Sequence, residues 1–205
     1  HYIEEWKKFK KISVREIQAT KIIYDMIQVL PPVVLDPTML LTKNDWIKYI
    51  KHSPSSGKYY AKYFLGKRND FSEKFIMKRA KEDNIRCIEI TNEDGSLKPG
   101  IGPYEFLRIL YYSEGVFTDS FHGTVFSIIF EKPFAVFQRP YEKGYGDMNS
   151  RIDTLIDTFE LRDHFVACPY DPEKVKMDFD YIKVKQILEI KRKESIAFLK
   201  DALSG

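Results

Sequence analysis

From residue 58 onward, short β-prone runs alternate with longer segments of helical periodicity, and this alternation leaves very few architectures open to the chain. Tyr59 to Leu65, Ile85 to Ile90, Val116 to Thr118 and Phe134 to Phe137 read as strands. Between them, Phe71 to Asp83 reads as a helix with Phe75, Ile76 and Ala80 inward. Pro103 to Tyr112 reads as a second helix, and Ser120 to Phe130 as a third, stopped at Glu131-Lys132-Pro133. Strand–helix alternation of this kind argues for βαβ units, hence an α/β fold with a mostly parallel sheet covered by helices on both faces. With 43% hydrophobic and 15% aromatic residues among 205, such a sheet can be buried without a disulfide scaffold.

The flanks are organised differently. Lys11 to Arg15 and Val33-Val34-Leu35 read as two further strands, separated by a helix from Glu16 to Leu30 that Pro31-Pro32 terminates. Asp36-Pro37-Thr38 punctuates the second of these strands, and an irregular stretch containing Trp46, His52, Pro54 and Gly57 follows. Helices are expected over residues 151–159 and 178–203, the latter with an apolar stripe through Ile187, Leu188, Ile196 and Leu199. The expected division is therefore the end of an N-terminal α/β domain at 1–36, a connection at 37–57, a Rossmann-like domain at 58–178 and a C-terminal helix at 179–205. No internal repeat or low-complexity tract interrupts it.

Charge and cysteine usage narrow the function. Lys and Arg total 33 against 30 Asp and Glu, a net charge of +3, and the basic runs Lys7-Lys8, Lys10-Lys11 and Lys191-Arg192-Lys193 lie in mixed-charge helical segments. They read as solvated faces, so nucleic acid is not an expected partner. Cys87 and Cys168 lack metal-ligand spacing and read as free thiols of a reducing compartment; no metal site is expected. Neither a membrane-spanning run nor a signal-peptide pattern is found.

The segment Thr118-Asp119-Ser120-Phe121-His122-Gly123-Thr124 places a histidine where a strand becomes a helix, the edge at which open α/β sheets build their sites. Asp119 or Ser120 would cap that helix. Its first-turn N–H groups and dipole suit an anion, and His122 would stand beside it, able to exchange a proton with a phosphorylated or carboxylated substrate. Gly123 would let a ligand approach the backbone. A histidine at a helix start is equally compatible with plain capping or packing. Gly100-x-Gly102 falls short of a dinucleotide fingerprint, so no nicotinamide cofactor is expected. Glu105 suits either a ligand hydroxyl or the dipole of its own helix. His52 and His164 read as structural, either surface or internally satisfied residues rather than ligands, Trp46 as a packing residue, and Tyr141 and Tyr145 as stacking candidates only by position.

Five ordered segments carry a resemblance. Ile12-Ser13-Val14-Arg15-Glu16, Val34-Leu35-Asp36-Pro37-Thr38-Met39 with Trp46, Ile101-Gly102-Pro103-Tyr104-Glu105, Val116 to Ser127 with Lys132-Pro133-Phe134, and Ser150-Arg151-Ile152 with Leu161-Arg162-Asp163 together resemble the polysaccharide pyruvyl transferase family. The resemblance implies two Rossmann-like domains facing across a cleft in a GT-B-like arrangement. It also implies that the first half of the N-terminal domain lies outside this chain, so that activity of the chain alone is not implied.

The implied reaction moves pyruvate from phosphoenolpyruvate, a donor substrate rather than a cofactor, onto sugar hydroxyls of a surface glycan or its lipid-linked precursor. A ketal forms and phosphate is released, at the cytoplasmic side, with peripheral membrane association through the acceptor. Within that frame His122 is the expected acid and base, and Arg15 the carboxylate- or phosphate-binding guanidinium, with a salt bridge to Glu16 or Glu5 as its alternative. Ser120, Gly123 and Thr124 are expected to bind the anion through amides and hydroxyls, and Arg139 and Arg151 to clamp the donor. Asp119 would orient His122 or cap the helix. The same architecture serves glycosyltransferases with nucleotide-sugar donors and non-catalytic glycan-binding or assembly modules, and both stay open.

Overall fold

The computed structural model describes residues 2–50, 57–66, 68, 70–139, 149–166 and 175–204. Helix α1 (Tyr2–Trp6) and helix α2 (Ile17–Ile27) precede a 3-10 turn at Pro37–Leu40 and the short α3 (Lys43–Ile47). Strand β1 (Tyr59–Tyr63), α4 (Asp70–Glu82), β2 (Arg86–Glu89), α5 (Pro103–Tyr112), β3 (Gly115–Thr118), α6 (Phe121–Phe130) and β4 (Phe134–Phe137) follow in strict alternation. Then come α7 (Ser150–Thr158), a 3-10 turn at Arg162–His164, β5 (Phe165–Val166) and α8 (Tyr181–Leu203). All strand pairings in the five-stranded sheet are parallel, and the order is β2-β1-β3-β4-β5. The expected α/β, Rossmann-like fold is therefore observed.

Period-2 alternation divides the strands between two cores. Tyr59, Ala61, Val116, Phe134 and Val136 join the side packed by α5, α6, α7 and α8, whereas Tyr60, Phe117, Ala135 and Phe137 join Ile76 of α4 and Met177. Lys62, on the second face, is buried between Glu73 of α4 and Glu89 of β2, each 2.9 Å away. Burial works against the charge on Glu89, but Arg68 and Lys62 outweigh it and hold that carboxyl down at about 2. Helix α6 lies innermost: every one of its residues except His122 is buried, as an all-round apolar helix requires.

Several expectations are corrected. The two N-terminal strands shrink to a single parallel bridge, Val14 to Val33, since two short segments with no further strand beside them among the described residues form little ladder. The described part of the connection, residues 37–50, is more ordered than its composition suggests. Thr42 and Asp45 form a capping box on α3, and Trp46, packing as expected, donates from Nε1 to Thr38 O at 2.9 Å and meets the Phe126 ring edge-on. His52, Tyr141, Tyr145 and Cys168 lie outside the described residues. Cys87 is a half-buried free thiol whose pKa burial pushes up.

Of the two readings open for His164, surface or satisfied, the structure shows the second. Only 3% exposed, it stacks against Phe134 and sets Nδ1 3.0 Å from the Phe134 carbonyl. Burial holds its pKa below the ordinary 6.5, with the Phe134 carbonyl acting the other way. Above pH 6.5 the ring is neutral in both folded and unfolded chains; below it the unfolded chain protonates first, so stability falls until the lower folded value is passed. His164→Asn, which keeps a donor for Phe134 but cannot titrate, is expected to flatten the decline in melting temperature between pH 7 and 5. Parallel melting curves for the two proteins would sink this assignment.

Candidate functional site

The site forms at the carboxyl edge of the sheet, where the N-terminal segment folds back onto α6 and α7. Three contacts bring that segment in. Ile17 N donates to Thr154 Oγ1 at 3.1 Å, Ser150 donates from Oγ to the Glu16 carboxylate, and Leu35 N donates to the buried Ser195 Oγ of α8 at 2.9 Å. The bridge between Val14 and Val33 then sets Arg15 beside the loop that starts at Asp36.

Arg15 meets neither Glu16 nor Glu5 but Asp36, its NH1 donating to Oδ2 at 2.5 Å. The Asp36 side chain is 2% exposed, and its other oxygen, Oδ1, accepts from Thr38 N at 3.0 Å and Thr38 Oγ1 at 2.7 Å. Burial opposes the charge on Asp36, yet the bonds from Thr38 and Arg15 prevail and hold the carboxyl below the usual carboxylate range. That same Oδ1 lies 4.0 Å from His122 Nε2.

His122 is the second residue of α6, with its side chain 46% exposed. Burial of its inner part lowers the imidazole pKa below 6.5; Asp36 raises it, and Arg15 and Arg151 lower it further. Arg15 and Arg151 each place their guanidinium carbon 5.8 Å from the centroid of the Phe121 ring. The structure thus gathers Arg15, Asp36, His122 and Arg151 around one aromatic side chain, although their sequence positions span residues 15 to 151. A cavity of about 240 Å³ adjoins them, lined among others by Arg15, Asp36, Met39, Phe121, Leu155 and Lys191. A larger hollow of about 400 Å³ lies at the opposite end of α6, against Glu131 and α8, and contains none of this cluster.

The other sequence candidates hold the scaffold. Ser120, not Asp119, is the N-cap of α6, its Oγ accepting from Gly123 N at 3.4 Å. Thr124 is fully buried and donates from Oγ1 to Ser120 O at 3.0 Å, so neither hydroxyl is turned to a ligand. Gly123 serves packing rather than ligand approach: a Cβ there would lie 2.4 Å from Thr118 Oγ1, so glycine is what lets α6 press onto the end of β3. The amides of Phe121 and His122, the first two of the helix, have no helical carbonyl within reach.

Asp119 neither caps α6 nor faces His122. It accepts from Leu65 N at 2.7 Å and Gly66 N at 2.8 Å, tying down the loop after β1. Arg139, expected as a phosphate clamp, is engaged there too, with Nε 3.2 Å from Asp119 Oδ2 and NH2 donating to Asp119 O at 3.1 Å. Gly66 makes room for this junction, since a Cβ would stand 2.9 Å from both Asp119 Oδ2 and Arg139 Cγ. Glu105 pairs with Arg108 on its own helix. Among the described residues no cluster of His, Cys, Asp and Glu is arranged to hold a metal ion.

Asp36 is the residue that sequence reasoning missed. The signal was present: an acidic residue closes one short strand just where the neighbouring strand ends in Arg15. Neither a curated protein nor a solved structure matched the chain. Residues 4–139 match the family model for polysaccharide pyruvyl transferase, a span that includes Arg15, Asp36 and His122 and stops before Arg151. On that match, which covers more than half of its length, the chain belongs to the polysaccharide pyruvyl transferase family.

Proposed function

We propose that the cluster around Phe121 binds phosphoenolpyruvate and transfers its pyruvyl unit to two hydroxyls of a surface glycan or its lipid-linked precursor, at the cytoplasmic face of a membrane. The observation that carries this reading is the placing of two guanidiniums, Arg15 and Arg151, each 5.8 Å from the centroid of one ring, with a histidine at a helix start beside them. Phosphoenolpyruvate carries a carboxylate and a phosphate a few bonds apart, and two cations gathered at one apolar ring suit such a pair.

His122, protonated when the donor is bound, gives its proton to the methylene carbon. The adjacent carbon becomes electrophilic, and a sugar hydroxyl adds to it, its proton returning to the imidazole. Phosphate then leaves with the bridging oxygen, and the second hydroxyl closes the ketal while its proton goes to the phosphate. One hydroxyl proton thus ends on the new methyl group and the other on phosphate, so the histidine is regenerated.

A nucleotide-sugar donor fits less well, because the protein's own Asp119 occupies the two amides after β1, at the strand-order switch between β1 and β3. That is the place where doubly wound sheets offer amides to a nucleotide phosphate. No helix among the described residues is long and apolar enough to cross a membrane. In this reading, membrane association runs through the acceptor.

Thermal stabilisation by phosphoenolpyruvate, with nucleotide sugars as controls, tests the donor assignment. Phosphoenolpyruvate is expected to raise the melting temperature of the wild type, and the rise is expected to vanish in Arg15→Ala. A rise with nucleotide sugars alone would point to glycosyl transfer, and one with neither donor but with glycan to a binding module.

A further inference from the structure

We propose that Asp36 is a positioning residue for this site: one carboxylate oxygen fixes the Arg15 guanidinium while the other faces His122, so that anion binding and proton transfer share one buried support. The mechanistic half of this proposal rests on the pyruvyl-transfer reading; the electrostatic half stands on geometry alone.

A carboxylate that only paired with Arg15 would gain most by turning outward, since the guanidinium side chain is 40% exposed. Asp36 instead sits 2% exposed, held from below by Thr38 N and Thr38 Oγ1 at 3.0 and 2.7 Å. A charge is buried in that manner only with several fixed donors, and here three converge, from Thr38 twice and Arg15 once. The loop itself is clamped from behind. Leu35 N donates to Ser195 Oγ, and Arg192 of α8 donates from Nε to Met39 O at 2.9 Å, so the carboxylate cannot drift with a mobile segment. Asp36 thus stands in a rigid frame, with Oδ2 on Arg15 and Oδ1 4.0 Å from His122 Nε2.

Among the described residues, three charged groups act on His122: Asp36 and Arg15 from the N-terminal segment and Arg151 from α7. Asp36 is the one anion among them. Without it, two guanidiniums would face the imidazole and oppose every protonated state the reaction needs. With it, the imidazolium has a fixed counter-charge, and Arg15 is kept from swinging away when the donor is absent. At 4.0 Å the pair is slightly beyond hydrogen-bond length, so a small closing movement on donor binding would complete it.

The test is Asp36→Asn, which keeps an oxygen acceptor for Thr38 but removes the charge. In histidine-labelled protein, the NMR titration of His122, assigned by its loss in His122→Gln, is expected to move to lower pH in the variant. The alkaline limb of the pH–rate profile, along which the required imidazolium is lost, is expected to move in the same direction. A merely structural role would lower the melting temperature and leave the His122 midpoint in place, and that result would overturn the proposal. In the wild type, the Asp36 carboxyl carbon is expected to show an inflection at the His122 midpoint, a measurement independent of how the variant folds; its absence would also overturn the proposal. If both titrations behave as expected but phosphoenolpyruvate neither binds nor turns over, the donor reading fails and the Asp36–His122 coupling stands.

Discussion

Replacing His122 with glutamine is expected to lower turnover by about 10²- to 10⁴-fold, the usual worth of a positioned general acid, while leaving phosphoenolpyruvate affinity largely in place. The division follows from where the side chain stands. In the proposed reading, donor charge would be met by Arg15, Arg151 and the first amides of α6, none of which depends on the imidazole. In the free protein, burial and the two guanidiniums hold the His122 pKa below 6.5, so the ring is largely neutral at pH 7. A bound anion answers the charge of Arg15 and Arg151 and adds its own beside the ring, so the imidazole pKa rises. Donor binding near neutrality should therefore take up a proton. Calorimetry in two buffers of different ionisation enthalpy reads this uptake directly, and the buffer dependence is expected to disappear in His122→Gln. Wild-type phosphate release by that variant, or uptake that survives the substitution, would remove His122 from the reaction.

Strands β1 to β4 and the helices between them were legible because each carries its own local signal. Pro103 opens α5 and Lys132-Pro133 follows the end of α6, so the boundaries of these elements fell within a residue or two of where periodicity put them. The two-residue β5 was missed because Phe165-Val166 is too short to show alternation; neighbouring β4 and the packed His164 create it. Roles at the site were harder to read than positions. Asp119, Ser120 and Thr124 look alike as polar residues at a helix start, and only tertiary contacts separate a carboxylate reaching Leu65 and Gly66 from hydroxyls bonded within their own helix. Arg139 and Arg151 are likewise both arginines after a strand or loop. One turns to Asp119 and the other to Phe121, a choice that depends on Gly66 leaving room.

Asp119→Ala is expected to cost about 3 kcal/mol, the lower end of what breaking a buried ion pair costs, because Arg139 keeps some solvent contact with its side chain 19% exposed. At roughly 2–4 °C per kcal/mol for a chain of this size, the melting temperature should fall by about 6–12 °C. The loss has two sources: Arg139 is left without its carboxylate, and the amides of Leu65 and Gly66 are left without an acceptor. Asp119→Asn, keeping one acceptor oxygen, should lose less. If Asp119 does stand where a bound phosphate would stand in other doubly wound sheets, its removal leaves an anion-shaped gap between two amides and a guanidinium. Inorganic phosphate should then restore part of the lost stability to Asp119→Ala, and more than it adds to the wild type. Phosphate that stabilises both proteins equally would mean that the loop after β1 is no anion site even when vacated, and would remove the structural reason for preferring a compact donor over a nucleotide sugar.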